Sequence, residues 1–324
     1  MGDPVISVRG LTKSYGDHEA VRGISFAVDQ GEVVAVLGPN GAGKTTTIEI
    51  LEGFREPSGG TAEVLGFDPM TGGTPMRERI GIVLQSCGFD PYLSVNEVLS
   101  MHAGYYPHPR DVDEVIQLVG LGEKARNRVK QLSGGQQRRL DVALGLIGDP
   151  DLLFLDEPTT GFDPAARRQS WELIGNLRSL GKTVLLTTHY MDEAQHLADR
   201  VIILSRGEIV ADGSPESIVG RSTALVEISF EVPSGCEVTD LPIPVDEVRN
   251  GAVKVRSQEP TAALATLTAW ALDHGGELVG LSVSRPSLED VYLELVGEAV
   301  LPVDERTPGA ADGVAEQSSR PAEQ

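Results

Sequence analysis

Gly38-Pro39-Asn40-Gly41-Ala42-Gly43-Lys44-Thr45 is the stretch that decides how the rest of the chain is read. It satisfies G-x-x-x-x-G-K-[ST] without a gap. Before it stands Glu32-Val33-Val34-Ala35-Val36-Leu37, a nearly unbroken apolar run of the kind a parallel strand buried on both faces requires. After it, Lys44-Thr45-Thr46-Thr47-Ile48-Glu49-Ile50-Leu51 reads as a helix. The glycines let the backbone wrap closely, so its N–H groups and the helix N-terminus converge on a polyphosphate. Lys44 is expected to reach the β- and γ-phosphates and the Thr45 hydroxyl to ligate Mg²⁺. A glycine-rich strand–helix turn without a ligand is the plainer alternative, and the strand and helix flanking the loop weigh against it.

Composition narrows the classes of function. At 324 residues the chain can hold one large domain or two ordinary ones. Its formal charge of -21 leaves no global field to attract nucleic acid or anionic lipid. Cys87 and Cys236 are the only cysteines and lack metal or disulfide spacing, which points to a reducing cytoplasm. No leader-like segment opens the chain and no apolar run approaches a membrane span, so any crossing is expected to be done by another protein.

Around the loop, Val5–Val8, Val21–Val28 and Val33–Leu37 read as a strand meander, with Tyr15 in a turn-rich segment, Lys13–Asp17. Tyr15 is either a half-buried strand aromatic or a platform for a nucleotide base. Ala62–Leu65 is a short strand, and Arg79–Gln85 is a strand ending on an amide. Residues 88–130 form a helical insertion, with helices at Ser94–Gly104 (Ser94 and Glu97 in capping-box positions) and Asp111–Val119. Leu132-Ser133-Gly134-Gly135-Gln136 opens a further helix, capped by Ser133 with a mouth stripped of side chains. It is an ordinary capped helix or a second phosphate site.

Asp151–Glu157 is an apolar strand ending in two carboxylates and halted by Pro158. Acids at that edge of a parallel sheet lie where such sheets bind ligands. Asp156 suits Mg²⁺ coordination, and Glu157 suits orienting or deprotonating a water; solvated loop carboxylates are the alternative. Thr183–Thr188 is another buried strand, tipped by His189. A hairpin spanning 201–210 and Gly213-Ser214-Pro215 close the first domain. Residues 222–299 follow a β-β-α-β-α order, a small α+β module with no phosphate loop. Removing everything from residue 222 onward is expected to leave a folded first domain. Residues 301–324, rich in Pro, Ala, Gly, Glu and Ser, read as a disordered tail.

Taken together, residues 4–216 resemble an ATP-binding subunit of an ABC transporter. The loop, Gln85, Leu132–Gln136, Leu152–Glu157 and His189 stand in that family's order and spacing. The resemblance implies an α/β P-loop NTPase fold with an antiparallel β subdomain and a helical subdomain (about 88–150). It implies that Tyr15 stacks on adenine, that Gly38, Pro39, Asn40, Gly41, Ala42, Gly43, Lys44, Thr45 and Thr46 hold the nucleotide, and that Gln85 touches Mg²⁺ and the attacking water. Ser133, Gly134, Gly135 and Gln136 match the signature that binds the γ-phosphate of ATP held by another copy. Asp156 matches the Mg²⁺-side aspartate, Glu157 the catalytic base, His189 the switch histidine and Asp163 the residue communicating between sites; Phe162 stands where leucine is commoner.

The implied cofactors are ATP and Mg²⁺. The implied partners are a second copy, head to tail, and a separate permease at the cytoplasmic face of the membrane, with no nucleic acid. Arg285–Leu295 resembles the end of the daunorubicin-resistance exporter branch, which implies export of a hydrophobic drug, antibiotic or lipid-like compound. A soluble ABC ATPase working on nucleic acid or the ribosome would be expected to carry two nucleotide domains or a coiled coil, together with basic surfaces. A P-loop phosphotransferase is disfavoured by the Leu132–Gln136 signature and by the position of Glu157.

Overall fold

The computed structural model describes residues 3–83, 88–160, 162–221, 225–233, 235–249, 252–274, 276–284 and 287–298. In chain order, β1 (Ile6–Tyr15), β2 (His18–Val28), β3 (Val33–Leu37), α1 (Lys44–Leu51), β4 (Gly59–Val64), α2 (Gly73–Arg77) and β5 (Ile80–Val83) make the first part. Next come α3 (Val95–Ala103), α4 (Val112–Leu118), α5 (Gly134–Leu146), β6 (Leu152–Asp156), α6 (Pro164–Ser179), β7 (Thr183–Thr188) and α7 (Met191–Leu197). β8 (Arg200–Ser205), β9 (Glu208–Gly213), α8 (Pro215–Arg221), β10 (Val226–Glu231), β11 (Glu247–Arg249), β12 (Ala252–Ser257), α9 (Pro260–Asp273), β13 (Val279–Ser284) and α10 (Leu288–Glu298) complete it.

The central sheet runs β5-β6-β7-β3-β8-β9, parallel except for the β8–β9 hairpin. Its inner strands read as unbroken apolar runs because both faces are covered. On β3, Val33, Ala35 and Leu37 enter one hydrophobic cluster while Val34 and Val36 enter another. The same alternation holds on β6, where Leu153 and Leu155 face the first cluster and Leu152 and Phe154 the second. The first cluster takes in α3, α4, α5, α6 and α7; the second takes in α1 and the antiparallel sheet β2-β1-β4. The first two strands therefore form their own sheet with β4, and β3 leaves the expected meander for the central sheet.

β1 continues through Tyr15 and turns only at Gly16-Asp17, so the lysine-to-aspartate segment read as turn-rich is mostly strand. Its pairing with β2 runs to Tyr15, while β4 flanks it only from Ile6 to Thr12. α3 and α4 begin at their capping residues: Ser94 and Glu97 exchange reciprocal bonds, and Asp111 accepts from the Glu114 amide. α5 lies directly against β5. A Cβ added to Gly81 would come within 2.1 Å of the Gly145 carbonyl oxygen, an approach that requires glycine at position 81.

The C-terminal module is an antiparallel sheet in the order β11-β12-β10-β13. Ile228, Phe230, Val253, Val255 and Leu267 of α9 form its core. The last helix, α10, departs from the expected arrangement. Its Leu288, Val291 and Tyr292 belong to the large cluster of the first domain, where α10 packs on α7 and α8. The helix that the β-β-α-β-α order assigned to the module thus completes the core of the first domain, and the module is strung between α8 and α10. The tail at 301–324 and residues 84–87, including Gln85, lie outside the described residues.

Candidate functional site

The phosphate loop sits at the C-terminal end of β3, between β7 and β8. Gly43 holds φ 101°, and a Cβ there would stand 2.5 Å from the Ala20 carbonyl oxygen, so the loop presses on β2 as only glycine allows. Thr47 returns its hydroxyl to the Gly43 carbonyl at 2.9 Å and fixes the first turn of α1. Lys44 is buried and donates to the carbonyls of Gly38 (2.7 Å) and Pro39 (3.2 Å), which places its ammonium under the loop. Burial pulls the Lys44 pKa below its ordinary range, while Glu157 and then Asp156 push it back up. Such an ammonium lacks full charge compensation and gains from a polyphosphate.

Tyr15 closes the same recess of about 270 Å³, together with Pro39, Asn40, Thr45, Thr46 and Glu157. Tyr15 is 41% exposed, and its ring is approached by the Lys13 ammonium at 5.4 Å and the Arg55 guanidinium at 5.3 Å. A base can stack on such a face.

Two acids and an imidazole meet beside the loop. β6 ends at Asp156, opposite Thr187 of β7. The Thr187 hydroxyl donates to Asp156 Oδ1 and accepts from the Glu157 amide at 3.1 Å. Glu157 itself sits at φ 45°, a strained conformation for a residue with a side chain. Its amide also donates to the Thr187 carbonyl, so β7 pins the turn without using the carboxylate. The carboxylate accepts from the Thr160 hydroxyl at 3.0 Å, and His189 Nδ1 lies 3.2 Å from Glu157 Oε1.

The oxygen donors suit a hard divalent cation. The Asp156 carboxylate at the strand end and the exposed Thr45 hydroxyl in the first turn of α1 could hold Mg²⁺ with its remaining positions on water and phosphate. Gln85, the third residue expected there, lies outside the described residues.

One buried carboxyl nearby went unnoticed in the sequence. Glu52, 7% exposed at the end of α1, is pushed up to about 8 by burial first, then by Asp156 and Glu49. Its proton is retained in the folded state and lost in the unfolded one over much of the neutral range. Stability from this group is therefore complete below its unfolded pKa and drains away as pH rises through about 8. We expect urea unfolding to lose about 2–3 kcal/mol between pH 6 and pH 9, and Glu52→Gln to remove most of that loss. Equal slopes for the two proteins would show that Glu52 does not titrate in this way.

The signature lies apart from the loop. Ser133 caps α5, donating its amide to Gln136 Oε1 at 3.0 Å and accepting from the Gln136 amide at 3.3 Å. Ser133, Gly134 and Gly135 line a second cleft of about 710 Å³, together with Glu157, Thr160 and Asp163. The phosphate loop lines only the first recess; Glu157 borders both. Arg138, buried on α5, donates to the carbonyls of Asp156 (3.0 Å) and Pro158 (3.1 Å) and fastens the signature helix to the acidic strand end. The sequence held a signal for it: Arg138, Asp141, Val142 and Gly145 share one face of α5, so the arginine points inward with apolar neighbours.

The chain matches the ABC transporter family model over residues 21–160 and a model of the ABC transporter-like C-terminal domain over 226–287, ending just before α10. Nod factor export ATP-binding protein I of Ralstonia nicotianae is 38% identical over 304 residues, 91% of this chain and 94% of that protein. Daunorubicin/doxorubicin resistance ATP-binding protein DrrA of Streptomyces peucetius is 36% identical over 316 residues, covering 93% and 94%. Among solved structures, CbiO1 of Clostridium perfringens, part of an ABC transporter complex, matches with TM-score 0.62 at 30% identity over 68% of this chain and 92% of its own. A dimeric ATP-binding cassette in a post-hydrolysis state with ADP and Pi matches at TM-score 0.57 and 25% identity, covering 64% and 98%.

The chain belongs to the ATP-binding subunits of ABC transporters. It is an ATP-binding, ATP-hydrolysing transport subunit with export and drug-resistance relatives.

Proposed function

We propose that two copies of this chain clasp two ATP molecules head to tail, and that closing and reopening the pair drives a separate membrane permease that exports a hydrophobic drug, antibiotic or lipid-like compound. The observation that carries this reading is the division of the site: loop and signature line different clefts of one chain, each bordered by Glu157. Neither cleft alone surrounds a triphosphate. The dimeric post-hydrolysis cassette supports the pairing, and the Nod factor and daunorubicin relatives support the class of cargo. Among the described residues no helix is long and apolar enough to cross a membrane, which fits a subunit held at the cytoplasmic face by its permease.

In this reading Tyr15 stacks on adenine, the Gly38–Thr46 backbone wraps the phosphates, and Lys44 pairs with the β- and γ-oxygens. Mg²⁺, held by Thr45, Asp156 and Gln85, would neutralise phosphate charge. Glu157 takes a proton from the water whose oxygen attacks the γ-phosphorus. The bond to the β–γ bridging oxygen breaks, and ADP and Pi result. His189 donates to a γ-oxygen, while Ser133, Gly134, Gly135 and Gln136 of the second copy close over it with their helix N-terminus. Asp163 carries information from one site to the other.

Copies carrying Asn40→Cys, mixed with copies carrying Ser133→Cys in a Glu157→Gln background, should form an intermolecular disulfide only with MgATP. No ATP-dependent cross-link would exclude the head-to-tail arrangement. Recovery of a multi-span protein with the full chain from solubilised membranes tests the permease; recovery of the chain alone would speak against it.

A further inference from the structure

We infer that Arg167 and Tyr190 are positioning residues for His189, translating the placement of the turn at Asp163 into the orientation of the imidazole ring. The inference rests on the reading of His189 as a contact of the γ-phosphate. His189 follows β7 directly and its side chain is 39% exposed, so backbone position alone does not fix the ring. Tyr190 provides the missing constraint. Its ring centroid lies 4.1 Å from that of His189, with the planes inclined at 39°. The Arg167 guanidinium in turn lies 4.1 Å from the centre of the Tyr190 ring and 3.4 Å from Asp192 Oδ2. Guanidinium, phenol and imidazole thus form a continuous set of flat groups. Cation–π attraction and ring offset favour a narrow range of mutual orientations within such a set.

The far end of this set is tied to the turn before α6. The Arg167 amide donates to the Asp163 carbonyl at 3.0 Å, and Asp163 Oδ1 accepts from the Ala166 amide at 2.9 Å. Asp163 also borders the signature cleft, where the second copy would close. A displacement of that turn moves Arg167, and Arg167 bears on the ring that abuts His189. The near end is tied to the base, since His189 Nδ1 lies 3.2 Å from Glu157 Oε1.

A purely structural role for the contact, fastening α6 to α7, is already filled. Glu193, fully buried on α7, accepts from Trp171 Nε1 of α6 at 3.2 Å and from the Thr159 hydroxyl at 2.8 Å. Leu173, Ile174 and Leu177 of α6 share the large cluster with Ala194 and Leu197 of α7. Removing the guanidinium or the phenol ring leaves those anchors in place.

The test uses the full chain with Tyr190→Leu, Tyr190→Phe, Arg167→Gln, Arg167→Lys and His189→Ala, measuring kcat and KM for ATP and the thermal melt of each. Tyr190→Leu should lower kcat about 10- to 100-fold with KM within about twofold, because a ring displaced by about an ångström fails only at the reacting phosphate. Tyr190→Phe should retain most of kcat, and Arg167→Lys more than Arg167→Gln. Arg167→Gln added to Tyr190→Leu should cost little further, as expected of one mechanical unit. Tyr190→Leu in the His189→Ala background should have no effect on the residual rate.

The inference is overturned if Tyr190→Leu retains kcat, if Phe fails as badly as Leu, if KM rises in step with the lost rate, or if the losses multiply independently. A fully active His189→Ala would instead overturn the reading of His189 on which the inference rests. Should Tyr190→Leu prove unstable, the contrast between Arg167→Lys and Arg167→Gln decides the matter alone.

Discussion

Glu157→Gln should bind MgATP as the native chain does, hydrolyse it about 100- to 10,000-fold more slowly, and accumulate as a nucleotide-bound dimer. The strained turn survives the change because the Glu157 amide, not its carboxylate, is bonded to the Thr187 hydroxyl and carbonyl. The side-chain oxygen that accepts from the Thr160 hydroxyl is retained in an amide of the same shape. What disappears is the carboxylate that the proposed mechanism uses to take a proton from the attacking water. Removing one negative charge beside Lys44 also eases approach of a triphosphate, so affinity should hold or improve. Steady-state phosphate release and gel filtration with and without MgATP measure both halves. Turnover within tenfold of the native rate would remove Glu157 from the role of base.

The second large effect belongs to Lys44→Ala, which should weaken ATP binding by at least about 10- to 100-fold. Lys44 is buried beneath the loop and already desolvated, so the ammonium meets phosphate oxygens without first shedding a full hydration shell. Its ammonium also serves the carbonyls of Gly38 and Pro39, and those acceptors return to water in the variant. The melting temperature should consequently change far less than the affinity. Titration with a fluorescent ATP analogue reads the binding. An unchanged dissociation constant would mean that the loop does not engage the phosphates through this side chain.

Much of the nucleotide domain was legible because its inner strands are uninterrupted apolar runs bounded by polar residues. β3, β6, β7 and β8 could hardly be read otherwise. Helix starts at Ser94, Asp111 and Ser133 were equally plain, since capping depends on a side chain and an amide only three residues apart. Properties arising between elements distant in sequence were not legible. The glycine after Tyr15 suggested an early turn, but pairing with β2 extends β1 to Tyr15, just before it. β11 is three residues long, below the length at which alternation can be recognised. α6 escaped notice although Trp171, Leu173, Ile174 and Leu177 mark an inward face.

Within the site, the motif residues themselves stood out in the sequence. The parts that hold them did not: the Thr187 hydroxyl shared between Asp156 and Glu157, the Arg138 tether and the buried Glu193 carboxyl each act across a long gap in sequence. The spacing of Leu288, Val291 and Tyr292 predicts an apolar helix face, but only tertiary structure says which surface receives it.

That last placement bears on how the polypeptide comes into being. During synthesis the phosphate loop emerges long before the helix that seals the surface formed by Leu197 and Ile218, because the two lie far apart in the chain. Until it arrives, a greasy face on the nascent enzyme stays open to water and to chaperones. Against the expectation that everything from residue 222 onward can be removed, a message broken before the codon for Leu288 would therefore yield a nucleotide domain with an open apolar flank, which would mark it for destruction.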